Sequence, residues 1–278
     1  MVFLPFNTLI LALAAPLANQ GVAPAPSTLS ARPLAPLASS IPLRIMPLGA
    51  SITYGQASSD GNGYRASLRS QLAAAGAYGS GGPNPINMVG SRQAGTMRDN
   101  DVEGWPGNRI EQVHAKAMAA VSVPGLKPNV VLINAGTNDA TQNFNVSTAG
   151  ARMEALIRDV YAASPRAVVI LSTLLVNTKA EGNVEHINRQ FGDVARKLRE
   201  KEGRRLVLVD MHGDDGPGTG DLVDGTHPND AGYRKMANLW YKGLVVASDA
   251  GWLQAPEPVQ GLPDDGEVKR KGRRGWYA

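Results

Sequence analysis

Cysteine is missing from the chain, which excludes a disulfide scaffold, thiolate metal sites and a cysteine nucleophile. Aromatic residues are scarce at 5%, and charged residues make up 19% against 43% hydrophobic. That apolar share is too large for a disordered chain. A chain of 278 residues can bury on the order of 70–75% of its unfolded surface. No charged side chain occurs in the first 31 residues, and no apolar run elsewhere reaches the roughly 20 residues of a membrane-spanning helix. No strand-like run is followed by Gly-x-x-x-x-Gly-Lys-Ser/Thr or by Gly-x-Gly-x-x-Gly, so neither a P-loop nor a Rossmann nucleotide site is supported. A strong charge of one sign is lacking too. The net charge is +4, but Lys269, Arg270, Lys271, Arg273 and Arg274 lie in the last ten positions, and subtracting these five leaves −1 for the remainder. A near-neutral body fits a small molecule or neutral polymer better than nucleic acid.

What is present has a clear order. Residues 3–18 are apolar and too short to span a bilayer, with small residues such as Ala18 and Ala23 behind them, so residues 1–23 read as a signal peptide and the protein as secreted. Pro24, Pro26, Pro33, Pro36 and Pro42 among Ala and Ser make residues 24–42 an extended linker. Residues 43–254 form one domain, and residues 255–278, charged and without apolar period, read as a loose basic tail. Within the domain, strand-like runs at 43–48, 86–89, 130–133, 167–171 and 206–209 alternate with helical patterns at 64–75, 110–121, 149–163, 184–200 and 230–246. Apolar strands separated by helices indicate a parallel sheet covered on both faces, an α/β fold with a three-layer α/β/α sandwich and five parallel strands.

Ligands of such sheets bind beyond the carboxyl ends of the strands. Four of the five ends carry polar residues with glycine: Gly49-Ala-Ser51-Ile-Thr-Tyr54-Gly55, Glu103-Gly-Trp105-Pro-Gly107-Asn108, Gly136-Thr-Asn138-Asp139 and Asp224-Gly-Thr-His227-Pro228. Singly each is weak, and the first lacks the second glycine of a Gly-x-Ser-x-Gly elbow. A serine hydroxyl becomes a useful nucleophile only when an imidazole accepts its proton, and that imidazole needs an acceptor on its other nitrogen. Of the four histidines only His227 has Asp three residues before it. His114 and His186 fall inside helical patterns, while His212, after the last strand, is the second candidate for the base.

In order and spacing the four blocks resemble the SGNH (GDSL) hydrolase superfamily. Asp99-Asn-Asp101 leading into Glu-Gly-Trp-Pro-Gly, together with Asp224-Gly-Thr-His-Pro-Asn-Asp-Ala-Gly-Tyr233, is most similar to carbohydrate esterase family 3, which contains acetylxylan esterases and secreted fungal relatives. The resemblance implies a flavodoxin-like SGNH fold, Ser51 as nucleophile, His227 as general base, and Asp224 as the carboxylate orienting it. It also implies an oxyanion hole from Gly107, Asn138 and the Ser51 N–H. Ala50 replaces the Asp of the commonest Gly-Asp-Ser block, and Pro106 stands where the second block often has Ser. Tyr54 and Trp105 adjoin the expected pocket, either stacking on sugar or packing. Asn145-Val-Ser147 is a glycosylation sequon.

The expectation is therefore a secreted, monomeric serine esterase that needs no metal or cofactor. It would remove acetyl groups from cell-wall polysaccharide such as xylan, with no nucleic-acid or membrane partner. An esterase for longer acyl chains and a non-catalytic carbohydrate binder on the same fold are the alternatives.

Overall fold

A computed structural model of the chain describes residues 41–74, 84–122 and 125–267. The expected signal peptide and almost all of the linker lie outside the described residues, as do residues 268–278 of the expected tail. The sheet is built around β1 (Leu43–Gly49), buried along its whole length. β5 (Val130–Asn134) lies parallel on one side of it, from Ile45↔Val130 to Gly49↔Asn134, followed by β6 (Val168–Ser172) and β7 (Leu206–Val209), also parallel. On the other side β2 (Ile86–Met88) pairs with the first half of β1. These are the five expected strands, in the flavodoxin-like order β2-β1-β5-β6-β7.

The sheet is larger than expected, with seven strands among the described residues. β4 (Asp101–Gly104) runs parallel to the last two residues of β1, and β3 (Arg92–Gln93) pairs antiparallel with β4. Asp-Val-Glu-Gly has one apolar residue and no readable period. It becomes a strand because the carboxyl end of β1 offers it a backbone partner where β2 has ended.

Alternation along each strand divides the core. Met46, Leu48, Val131, Ile133, Val169 and Leu171 pack with α3 (Ile110–Ser122), α5 (Ala149–Ala163) and α6 (Glu181–Arg196). Leu43, Ile45, Val130, Leu132, Val168 and Ile170 pack with α2 (Tyr64–Ala74) and α7 (Asp230–Asp249). Two short helices, α1 (Ser51–Tyr54) and α4 (Thr137–Thr141), follow β1 and β5 directly. α6 begins before the expected residue 184, since Glu181 accepts the Asn177 N–H at 2.7 Å and so fastens the first turn.

Residues 255–267, expected to be loose, are instead tied to the body. The Glu257 carbonyl accepts from the buried Arg44 at 2.7 Å, and the Gly266 N–H donates to Ile86 O on β2 at 3.0 Å. Arg69 bonds both Asp265 and Glu267. No helix among the described residues is long and apolar enough to cross a membrane.

Candidate active site

The carboxyl ends of β4, β1 and β5 meet in register at Gly104, Gly49 and Asn134. The approach is close enough to require glycine: a Cβ on Gly49 would stand 2.1 Å from Asn134 O, and one on Gly104 would stand 2.7 Å from Tyr54 N. Trp105 N–H donates to Gly49 O at 2.9 Å, extending the pairing by one bond. Three of the four polar blocks therefore leave the sheet side by side. The first block enters α1 without a side-chain cap, because Ala50 has none to offer; the turn is closed by Tyr54 N–H to Ala50 O at 3.0 Å.

The fourth block arrives on a small hairpin. Leu222 bridges Pro228, Val223 N–H donates to His227 O at 2.9 Å, and Gly225 takes φ +80° at the tip. Pro228 keeps His227 out of the helical region, and Asn229 then caps α7 by accepting the Gly232 N–H. Asn177, beyond β6, fastens the hairpin by donating to Thr226 Oγ1 at 3.0 Å, and α7 behind it is tied to the segment after α1 by the Tyr233 hydroxyl, which donates to Gln56 O at 2.6 Å.

This brings Ser51, His227 and Asp224 together. His227 Nε2 lies 2.9 Å from Ser51 Oγ, and Nδ1 lies 2.8 Å from Asp224 Oδ2. Asp224 Oδ1 accepts the backbone N–H groups of His227 at 2.9 Å and Thr226 at 3.0 Å. Partial burial pushes against ionisation of Asp224, but these two N–H groups and the imidazole outweigh it and pull its carboxyl down to about 2. Such an arrangement can strip a proton from the hydroxyl while the imidazole is held in one orientation.

Gly107 and Asn138 are linked rather than merely adjacent. Trp105-Pro106-Gly107-Asn108 is a turn closed by Asn108 N–H to Trp105 O at 3.1 Å, with Pro second and Gly107, at φ +82°, third, as a type II turn requires. The closing bond uses the Asn108 N–H, so the Gly107 N–H lies outside it. One amide hydrogen of Asn138 goes to Asn108 O at 2.8 Å. Asp139, fully buried, accepts the Ile110 N–H at 3.1 Å and pairs with Arg152 of α5. It thereby locks α4 to the segment that carries Gly107. Burial pushes the Asp139 carboxyl up, against the pull of Arg152.

Tyr54 and Trp105 do flank the site, but they face a cation. The Arg92 guanidinium stands 4.6 Å from the Tyr54 ring centre and 4.7 Å from that of Trp105, and Lys116 Nζ stands 4.3 Å from the latter. Sequence reading missed Arg92 and Arg152, since neither lies in a polar block. Only the pairing of β3 with β4 and of α4 with α5 brings them in. The other histidines go elsewhere: His212 Nε2 meets Glu181 at 2.6 Å, His114 meets Asp159 at 2.8 Å, and His186 is exposed. Among the described residues no group of three or more His, Asp or Glu converges as a metal site.

Residues 48–235 match the model of the GDSL-like Lipase/Acylhydrolase family. Over 260 residues the chain is 29% identical to a multidomain esterase of Ruminococcus flavefaciens, a match covering 84% of this chain and 33% of that protein. The chain thus spans about a third of the length of this curated relative. Its fold is similar to a family 3 carbohydrate esterase of Clostridium thermocellum, with TM-score 0.63 and 25% identity over 75% of this chain and 98% of the other. A family 3 carbohydrate esterase from Talaromyces cellulolyticus gives TM-score 0.62 and 22% identity, over 75% and 99%. With the match extending from the end of β1 into α7, the chain belongs to the GDSL-like Lipase/Acylhydrolase (SGNH) family.

Proposed function

We propose that the protein is a secreted serine esterase that removes acetyl groups from plant cell-wall carbohydrate, xylan being the polymer the resemblance favours. The observation that carries this reading is the unbroken run Ser51 Oγ, His227 Nε2, His227 Nδ1, Asp224 Oδ2, with steps of 2.9 Å and 2.8 Å. In the proposed reaction Ser51 attacks the ester carbonyl as its proton passes to Nε2, and the same imidazole returns that proton to the departing sugar hydroxyl. Water then repeats the sequence on the acetyl-serine and releases acetate. The oxyanion formed in each half is received by the N–H groups of Ser51 and Gly107 and by the Asn138 amide; losing one such donor typically costs a factor of roughly 10²–10³ in turnover.

The acetyl preference rests on likeness to family 3 carbohydrate esterases, and export rests on the uncharged apolar stretch at residues 3–18. The test is a p-nitrophenyl ester series with Ser51→Ala beside the wild type. We expect acetate to be the best substrate and Ser51→Ala to fall to background. Preference for hexanoate or longer esters would replace the acetyl reading with that of a longer-chain esterase, and hydrolysis at the background level in the wild type and Ser51→Ala alike would leave a binding protein.

A further inference from the structure

Arg92 is a cation with no direct ion pair among the described residues. Its Nη1 donates to Gly104 O at 2.8 Å, and its guanidinium lies over Tyr54 and Trp105. No carboxylate lies within ion-pair distance of it among the described residues; the buried Glu103 feels its charge only through space, a weaker pull on that carboxyl than the hydrogen bonds from Trp105 and Ser91. Lys116, exposed over the same Trp105, likewise has no acid partner there. Arg109, also near the second block, shows the contrast: its Nε meets Glu111 at 2.8 Å. The acid nearest in sequence, Glu103, is fully buried, and both its oxygens are already taken, by Trp105 Nε1 at 2.6 Å and by the N–H and hydroxyl of Ser91 at 2.7 and 3.0 Å.

The position of Arg92 is as informative as its lack of a direct ion pair. Tyr54 lies one helical turn beyond Ser51, and the Trp105 N–H is bonded to Gly49, two residues before Ser51. The two rings that hold the guanidinium thus flank the nucleophile's own loop. With Nη1 engaged on Gly104, the Nε and Nη2 hydrogens remain as a parallel pair, the fork that matches a carboxylate. Stacking on aromatic faces fixes the plane of the group but does not neutralise it.

We propose that Arg92, with Lys116 behind it, receives a carboxylate of the substrate, so that the acetylated carbohydrate this site acts on carries uronic acid near the ester. The inference rests on the esterase reading and names its substrate more closely. It is tested with acetylated xylo-oligosaccharides matched in length, with and without one glucuronic acid substituent, by measuring acetate release at low ionic strength.

The wild type should show kcat/KM about tenfold higher on the uronate-bearing oligosaccharide, a single charge-assisted contact, and the preference should shrink as salt is added. Arg92→Gln should bring the ratio of the two kcat/KM values close to one, each variant's neutral oligosaccharide serving as its own reference. Arg92→Lys, which keeps the charge but loses the fork, should fall between. Equal kcat/KM in the wild type, or a preference that survives Arg92→Gln, overturns the inference and leaves the esterase reading standing. No acetate released from either oligosaccharide overturns both.

Discussion

At the scale of single residues, the two oxygens of Asp224 have separate tasks: Oδ1 shapes the hairpin by accepting two backbone N–H groups, and Oδ2 holds the imidazole. Asp224→Asn separates them. The amide oxygen can still accept both N–H groups, so the melting temperature should stay near that of the wild type. Its NH₂ now faces Nδ1 and favours the tautomer with the proton on Nε2, where it can no longer accept from Ser51. Turnover should fall by about 10⁴. The pH dependence follows from the same contacts. The carboxyl is held at about 2, below the roughly 3.9 of an unfolded chain, so its contribution to stability is complete above about pH 4 and is lost as pH falls toward 2. An unfolding series between pH 5 and pH 2 checks this, with the wild type losing stability there and Asp224→Asn losing less. These three residues were legible in sequence because each sits in a short polar block after a strand. Arg92 was not, since a lone arginine on a two-residue strand carries no pattern.

At the scale of elements, the strands and helices of strong period were readable: the helix at Ala149–Ala163 has the expected bounds because Met153, Leu156, Ile157 and Val160 define one apolar face. β4 was not readable, since its pairing with β1 and the bonds made by Glu103 lie in other parts of the chain. The contact between α4 and α5 is of the same hidden kind. Arg152 bonds the fully buried Asp139 and also Glu111, whose side chain is 36% exposed. Arg152→Met leaves a buried carboxylate without its cation and should cost about 3 kcal/mol in urea unfolding. Glu111→Gln removes only the exposed partner and should cost less than about 1 kcal/mol. Because Asp139 also holds Ile110, Arg152→Met should lower kcat more than it raises KM, the mark of a misplaced Asn138 and Gly107 rather than of weakened binding.

At the scale of the whole molecule, residues 255–267 close a sheet that would otherwise end in an open edge. The Ile86 carbonyl on β2 is taken both by Gly266 N–H at 3.0 Å and by Arg69 at 2.9 Å, and an uncovered edge strand invites pairing with another chain. Composition suggested a loose tail because the segment has no apolar period; Arg44, Asn87 and Arg69, which bond it, lie in the first half of the sequence. Arg69 is the clasp, bonding Asp99 at 2.7 Å, Asp265 at 3.2 Å and Glu267 at 3.3 Å. Burial pushes the Asp99 carboxyl up to about 7 despite the pull of Arg69. Its folded value thus exceeds the unfolded value of roughly 3.9, so the folded state binds the extra proton between about pH 4 and 7, and stability from this group declines as pH rises through that window. Arg69→Gln deepens the effect, because Asp99 can escape the loss of its cation only by taking up a proton. Its cost in urea unfolding should be small at pH 5 and reach about 3 kcal/mol or more at pH 8. Light scattering at pH 8 should then detect association through the freed edge of β2. A cost independent of pH, with no association, would mean that Asp99 and the edge are not governed by this clasp.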